Sequence, residues 1–250
     1  MLIVVSIVVM GAVPGSVGER VDDLYRQGNA FYEQGEYAKA SAAYERIIQQ
    51  GFHNGYVYYN LGNAYFKQQQ LGKAILSYER ARRLMPRDPD VWANLEIANL
   101  MTIDKLQPPS PWIGFVLVLR VYQWLNVNEA ISTASTLYLL LGVIVSLAIL
   151  TERPGLRRVL RMMGMIVVAG LLVFGTIAGA KVYEQASVSR AIVLATQADA
   201  RSGPGPSYDL LFSLHEGANV TVLEQRGAWV RIALPDGKGG WMEQIAVGVI

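Results

Sequence analysis

Four positions recur at a fixed separation of 34 residues early in the chain: Gly28, Phe31, Ala40 and Tyr44 are followed by Gly62, Tyr65, Ala74 and Tyr78. A period of this length marks one supersecondary unit copied along the chain, and each copy buries its apolar face only against a neighbour. Within a copy, two antiparallel helices approach closely only where small residues occupy the crossing point and aromatics fill the space beside it. Gly28 and Ala40 supply those small positions in the first copy, and Gly62, Ala74 and Ala81 in the second. The start of the chain is therefore expected to be a short stack of helical hairpins.

This spacing resembles the tetratricopeptide repeat (TPR) family, with repeats at 21–54 and 55–88 inside a domain spanning 19–106. Ile47 stands where that family has a small residue, and Phe52 where it has the proline that Pro86 supplies in the second copy. A third unit begins after Asp88-Pro89 with Trp92 and Leu95, but Glu96 falls at the glycine position, so 90–102 reads as a capping helix. The resemblance implies a concave groove lined by the first helix of each pair. Asn29, Tyr32 and Glu33 would come from the first repeat, and Tyr59, Asn63, Phe66 and Lys67 from the second. An asparagine amide both donates and accepts, so Asn29 and Asn63 at one repeated offset can hold an extended chain; the alternative is that they bridge helices or face water.

Composition matters next, because 52% hydrophobic residues and a positive mean hydropathy exceed what a soluble protein needs. Ile131 to Leu150 contains 20 residues without a charge and Met162 to Ala180 contains 19, each long enough to cross about 30 Å of hydrocarbon as a helix. They predict transmembrane helices at 130–151 and 162–182. The segment between them, 152–161, carries Arg153, Arg157, Arg158 and Arg161 against Glu152, and a short basic loop stays on the cytoplasmic side. Both flanking domains then face outward from a multi-pass protein of the bacterial cytoplasmic (inner) membrane. Residues 1–18 read as a signal peptide or an uncleaved N-terminal anchor, with an apolar stretch followed by small residues but no basic start.

Gln107-Pro108-Pro109-Ser110-Pro111 breaks any helix and marks a linker within 107–129. Trp112 to Asn128 is apolar but interrupted by Arg120 and Gln123, and reads as an interfacial helix; the alternative, a third span, would carry Arg120 into the bilayer at about 2.5–3.5 kcal/mol. Gly175 and Gly179 form a GxxxG pair that packs against the first span or against a partner helix.

From Ser189 the pattern turns to short Val, Ile and Leu runs separated by glycine turns. Val230, Ile232 and Leu234 alternate with Trp229, Arg231 and Ala233, as a strand with one buried face requires, and Asp236-Gly237 supplies a hairpin turn. Ala200-Arg201-Ser202-Gly203-Pro204, Gly217 ahead of Val220 to Leu223, Gly227-Ala228-Trp229-Val230 and Gly237-Lys238-Gly239-Gly240-Trp241 resemble the bacterial SH3 (SH3b) domains over 189–250. The resemblance implies a small all-β SH3-like barrel that binds peptides or peptidoglycan outside the cytoplasm. Tyr208, Trp229 and Trp241 are candidates for its ligand surface, with core as the favoured alternative for aromatics in so small a barrel.

No catalytic set emerges. The chain has no cysteine, and His53 and His215 lie in different domains as turn residues outside any metal-binding or nucleophile-activating pattern. No cofactor or metal is expected, nor an enzyme. With a net charge of +2 and its excess in the Arg-rich loop, the chain offers no basic face for nucleic acid. The fold class is multi-domain: a helical TPR solenoid, two transmembrane helices and a β-barrel.

This order, with Asn94-Leu95-Glu96 closing the helical domain and Trp124 to Glu129 preceding the spans, looks like the BatE proteins of bacterial aerotolerance operons. That resemblance implies a membrane scaffold working with von Willebrand factor A-type membrane proteins and a MoxR-type AAA ATPase in envelope stress tolerance or assembly.

Overall fold

Helix boundaries in the repeat region follow local chemistry. The structure, a computed structural model, describes residues 17–105, 113–187 and 189–250. The leader expectation for 1–18 thus falls almost wholly outside the described residues, as does the proline-rich run 107–111. Five helices come first: α1 (Val17–Glu33), α2 (Tyr37–Gln49), α3 (Gly55–Lys67), α4 (Leu71–Leu84) and α5 (Pro89–Met101). Asn54 caps α3 by accepting from Tyr56 N at 2.8 Å, and Asp88 caps α5 with Pro89 at its first position, where a missing N–H costs nothing. The glycines of the 34-residue repeat meet tyrosine rings, since a Cβ on Gly28 or Gly62 would lie 2.6 Å from Tyr44 or Tyr78. Ala40, Ala74 and Ala81 are fully buried at the helix crossings. Ile47, the departure in the first copy, is fully buried in the same core.

The apolar helices follow. Helix α6 (Ile113–Trp124) has 12 residues, about 18 Å of rise, and falls short of about 30 Å of hydrocarbon. Helix α7 (Val127–Leu150) starts on a capping box in which Glu129 N donates to Asn126 Oδ1 at 2.8 Å and Asn126 N donates to Glu129 Oε2 at 3.0 Å. Helix α8 (Pro154–Ser187) corrects the expected loop at 152–161: only Thr151 to Arg153 connect α7 to α8, and Arg157, Arg158 and Arg161 lie on the first turns of a continuous helix. Pro154 fits the first helical turn and arginine and leucine propagate it, so nothing in the basic segment stops the helix. Only 6% and 17% of the most apolar windows of α7 and α8 are buried, which distinguishes both from the core helices of a soluble domain. Both are long and apolar enough to cross a membrane.

The last segment forms one seven-stranded antiparallel sheet: β1 (Ser189–Val193), β2 (Gln197–Arg201), β3 (Leu210–His215), β4 (Asn219–Arg226), β5 (Trp229–Ala233), β6 (Gly239–Glu243) and β7 (Val247–Val249), in the order β3-β2-β6-β5-β4-β1-β7. Gly237, at φ +87°, makes the turn between β5 and β6. Val193, Leu214, Val220, Val230, Ile232 and Met242 share one core although β1 and β3 lie far apart in the order, so the sheet curls over a single inner face.

The helical unit and the sheet meet along β1. Ala191 and Val193 point into the sheet's core, whereas Ile192, between them and fully buried, joins the helical core with Leu76. Polar contacts fasten the junction. Gly72 N donates to Glu216 Oε1 at 2.8 Å, His215 N donates to Asp104 Oδ2 at 2.6 Å, and Arg80 Nη2 donates to the Val249 carbonyl at 2.5 Å. His215 thus ends a strand instead of occupying a turn.

Candidate binding surfaces

The first helices of the repeats, α1, α3 and α5, expose one face that the sheet leaves open. Tyr32, Tyr59, Asn63, Phe66 and Lys67, five of the seven groove candidates, line one cavity of about 310 Å³ together with Tyr78, Asn94 and Ile97. Asn29 lies one repeat earlier on the same ladder of hydrogen bonds, and Glu33 is exposed on the last turn of α1.

That ladder fixes the role of the asparagines. Asn29 Oδ1 accepts from Tyr44 Oη at 2.7 Å and from Asn60 Nδ2 at 3.2 Å, and Asn60 Nδ2 also reaches Tyr25 Oη at 3.1 Å. One repeat later Asn63 Oδ1 accepts from Tyr78 Oη at 2.8 Å and from Asn94 Nδ2 at 2.9 Å, and Asn94 Nδ2 reaches Tyr59 Oη at 3.1 Å. Both oxygens therefore bridge helices. Among the described residues neither Asn29 Nδ2 nor Asn63 Nδ2 has a partner, so a ligand carbonyl can be bound there but a ligand N–H cannot be accepted. The sequence reading missed Asn94, Tyr78 and Ile97; the first was findable, because Asn60 and Asn94 repeat at the same 34-residue period. Burial pushes the Tyr78 hydroxyl pKa up, so it stays a neutral donor at the groove floor. Trp92 Nε1 donates to the Pro86 carbonyl at 2.8 Å, pinning the cap against the second repeat.

In the sheet, antiparallel register puts Trp229 opposite Glu243 and Arg231 opposite Trp241, all on the face away from the core residues Val230 and Met242. The inner face is filled by aliphatic side chains, and the two tryptophans part company: Trp229 is half-buried outside that cluster, whereas Trp241 is buried, as the core reading expected. Trp241 is only 8% exposed, with the Arg226 guanidinium 5.3 Å from its ring centre and Arg201 and Arg231 opposite it on the neighbouring strands. Trp229 lines a second cavity, of about 490 Å³, with Ala228, Glu243, Gln244 and Ile245. Tyr208 is half exposed on the loop after β2, which Arg201 Nη1 fastens by donating to the carbonyls of Pro206 at 3.2 Å and Tyr208 at 3.0 Å.

Between α7 and α8 the packing glycines are Gly164 and Gly170, whose added Cβ atoms would touch Ile144 at 3.6 Å and Leu137 at 3.5 Å. Gly175 and Gly179 meet nothing within 4 Å, so the GxxxG pair is not part of the contact between the two helices.

Comparison with known proteins bears on the parts that flank the apolar helices. The tetratricopeptide repeat profile matches residues 25–89 and the bacterial SH3 domain profile matches residues 196–244. The chain carries a TPR repeat and a bacterial SH3 domain. A segment of 57 residues is 33% identical to YrvJ of Bacillus subtilis (strain 168), a protein named as an N-acetylmuramoyl-L-alanine amidase; the match covers 23% of this chain and 11% of that protein. Among solved structures, the TPR2B domain of yeast Sti1, in a structure described as its complex with pHsp70, is 17% identical over 33% of this chain and 66% of that one, at a TM-score of 0.32.

Proposed function

We propose that this protein is a non-enzymatic, membrane-anchored adaptor that binds a protein partner in its TPR groove. The observation that supports this most is the open cavity between α1, α3 and α5, where Tyr32, Tyr59 and Phe66 offer apolar contact beside Asn63 Nδ2 and Lys67. A carbonyl-rich, extended segment with an acidic residue suits that lining. With α7 and α8 crossing the membrane and the Arg-rich start of α8 on the cytoplasmic side, the TPR and SH3 domains stand outside the cytoplasm. In a BatE-like complex, the partners would be von Willebrand factor A-type membrane proteins and a MoxR-type ATPase system.

The test is recovery of partners from native cells by tagged full-length protein in detergent. Phe66→Ala with Lys67→Glu should lower recovery about tenfold or more, as loss of a central interface anchor does, while helical circular dichroism stays unchanged. Recovery equal to that of the unaltered protein would exclude the groove.

A second reading, peptidoglycan binding by the SH3 domain, draws on the amidase match and on Trp229, which lines the cavity beside Glu243. Sedimentation of the full-length protein with purified cell wall, reduced by Trp229→Ala, would favour it. The full chain is the proper probe, because a fragment beginning at Ser189 would expose Ile192.

A further inference from the structure

The charge-free stretch of α8 ends at Lys181, and residues from four elements gather at that point. Lys181 Nζ lies 4.1 Å from the ring centre of Tyr122 on α6. Tyr122 Oη donates to Glu184 Oε2 at 2.5 Å, and the other oxygen of Glu184 takes the Arg190 guanidinium of β1. Arg190 leads on to α4 through Ile250, whose N donates to the Arg190 carbonyl at 2.9 Å and whose carbonyl accepts from Arg83 Nη1 at 2.7 Å. Arg82, beside it on α4, is held by Glu79 at 2.6 Å.

Four cations, Arg82, Arg83, Lys181 and Arg190, thus share this corner with two side-chain carboxylates, Glu79 and Glu184, and with the Ile250 main-chain oxygen that holds Arg83. Burial, with Arg82 and Arg83 adding like charge, lowers the Arg190 pKa even though Glu79 opposes the shift. Lys181 lies in the field of Arg82 and Arg190 and has no carboxylate or carbonyl partner among the described residues. A half-buried ammonium facing like charges calls for an anion to complete it. The antiparallel pairing of α7 and α8 brings the corner level with Trp124, 58% exposed and stacked by Arg87 at 4.7 Å. Exposed Trp and Tyr rings with basic side chains at the end of an apolar helix are the furniture of the headgroup layer.

We propose that this corner binds the phosphate of an anionic lipid headgroup, with Lys181 and Arg190 as its direct ligands and Arg82 and Arg83 enriching the positive field. The assignment rests on α7 and α8 crossing the membrane. Flotation of the full-length protein with neutral phosphatidylcholine vesicles tests that crossing alone, and absence from the floated fraction overturns both readings. Native mass spectrometry of protein released from mixed phosphatidylglycerol and phosphatidylcholine nanodiscs then counts the retained lipids. Phosphatidylglycerol should be enriched, with the preference falling roughly fivefold for each charge removed in Lys181→Gln and Arg190→Gln. Lys181→Arg should restore it, and Arg120→Gln, outside the corner, should leave it unchanged. Flotation without enrichment, or enrichment that survives both Gln substitutions, overturns the site while leaving the crossing intact. Displacement of the lipid by millimolar glycerol phosphate would assign the corner to a soluble phosphate instead and overturn the lipid assignment.

Discussion

Gln69 adopts a backbone conformation, φ +61°, that its counterpart one repeat earlier, Gly35, adopts at φ +76°. A residue with a Cβ loses about 1–2 kcal/mol in this left-handed region, whereas glycine loses about 0.5–1 kcal/mol through its freer unfolded chain. The Gln69 side chain is exposed and its N–H bonds Phe66 O as Gly35 N–H bonds Tyr32 O, so replacing it removes no specific contact. Gln69→Gly should therefore stabilise the helical unit by about 0.5–1 kcal/mol, read from denaturant unfolding followed by circular dichroism. Unchanged or lowered stability would refute the strain. At this scale the sequence was legible wherever identity repeats with the period. Gly28 with Gly62 and Tyr44 with Tyr78 show themselves directly, and so do the Asn60 and Asn94 partners once the same offset is applied. What the period hides is direction: nothing in the spacing says that the oxygens of Asn29 and Asn63 face inward to neighbouring helices.

Tyr44, Tyr65 and Tyr78 come from three consecutive helices and put hydroxyls into one core. Burial pushes all three pKa values far above the ordinary one, and for Tyr65 the hydrogen bond to Glu45 adds to it. The folded helices favour the neutral phenols, so this stabilisation is fully present below the unfolded value of about 10 and is lost as pH rises beyond it toward the folded values. Far-ultraviolet circular dichroism should show the TPR helices melting above about pH 10. Tyr44→Phe and Tyr78→Phe should move that midpoint upward while costing about 1 kcal/mol each at neutral pH, because each asparagine oxygen keeps one of its two donors. Helicity that is flat through pH 12 would contradict this. Element types were readable from period and apolar length, but ends were not. Asn126 and Glu129, three apart, spell a capping box that starts α7 before the charge-free run, and a string of arginines reads as a loop although Pro154 opens a helix through it.

Across the whole molecule the decisive strand is β1, which serves two cores at once. Ala191-Ile192-Val193 is an unbroken apolar run with every side chain fully buried, as occurs when both faces of a strand are covered. Such a run is visible in the sequence, but its second cover, the α4 surface around Leu76, lies over a hundred residues away and leaves no periodic trace. Two domains separated in the sequence by the apolar helices are therefore one unit, closed by Glu216 on Gly72 and Asp104 on His215. Through α4 the helical core is packed on the sheet, and Arg87, ion-paired with Glu129, joins the same unit to the start of α7. Ile192→Ala removes a fully buried side chain and should cost about 2–5 kcal/mol. In a single unit that loss is shared, so amide hydrogen exchange in the full-length protein should rise in α4 as well as in β1 and β4. Exchange that rises in the strands alone would mean that the TPR and SH3 domains unfold independently.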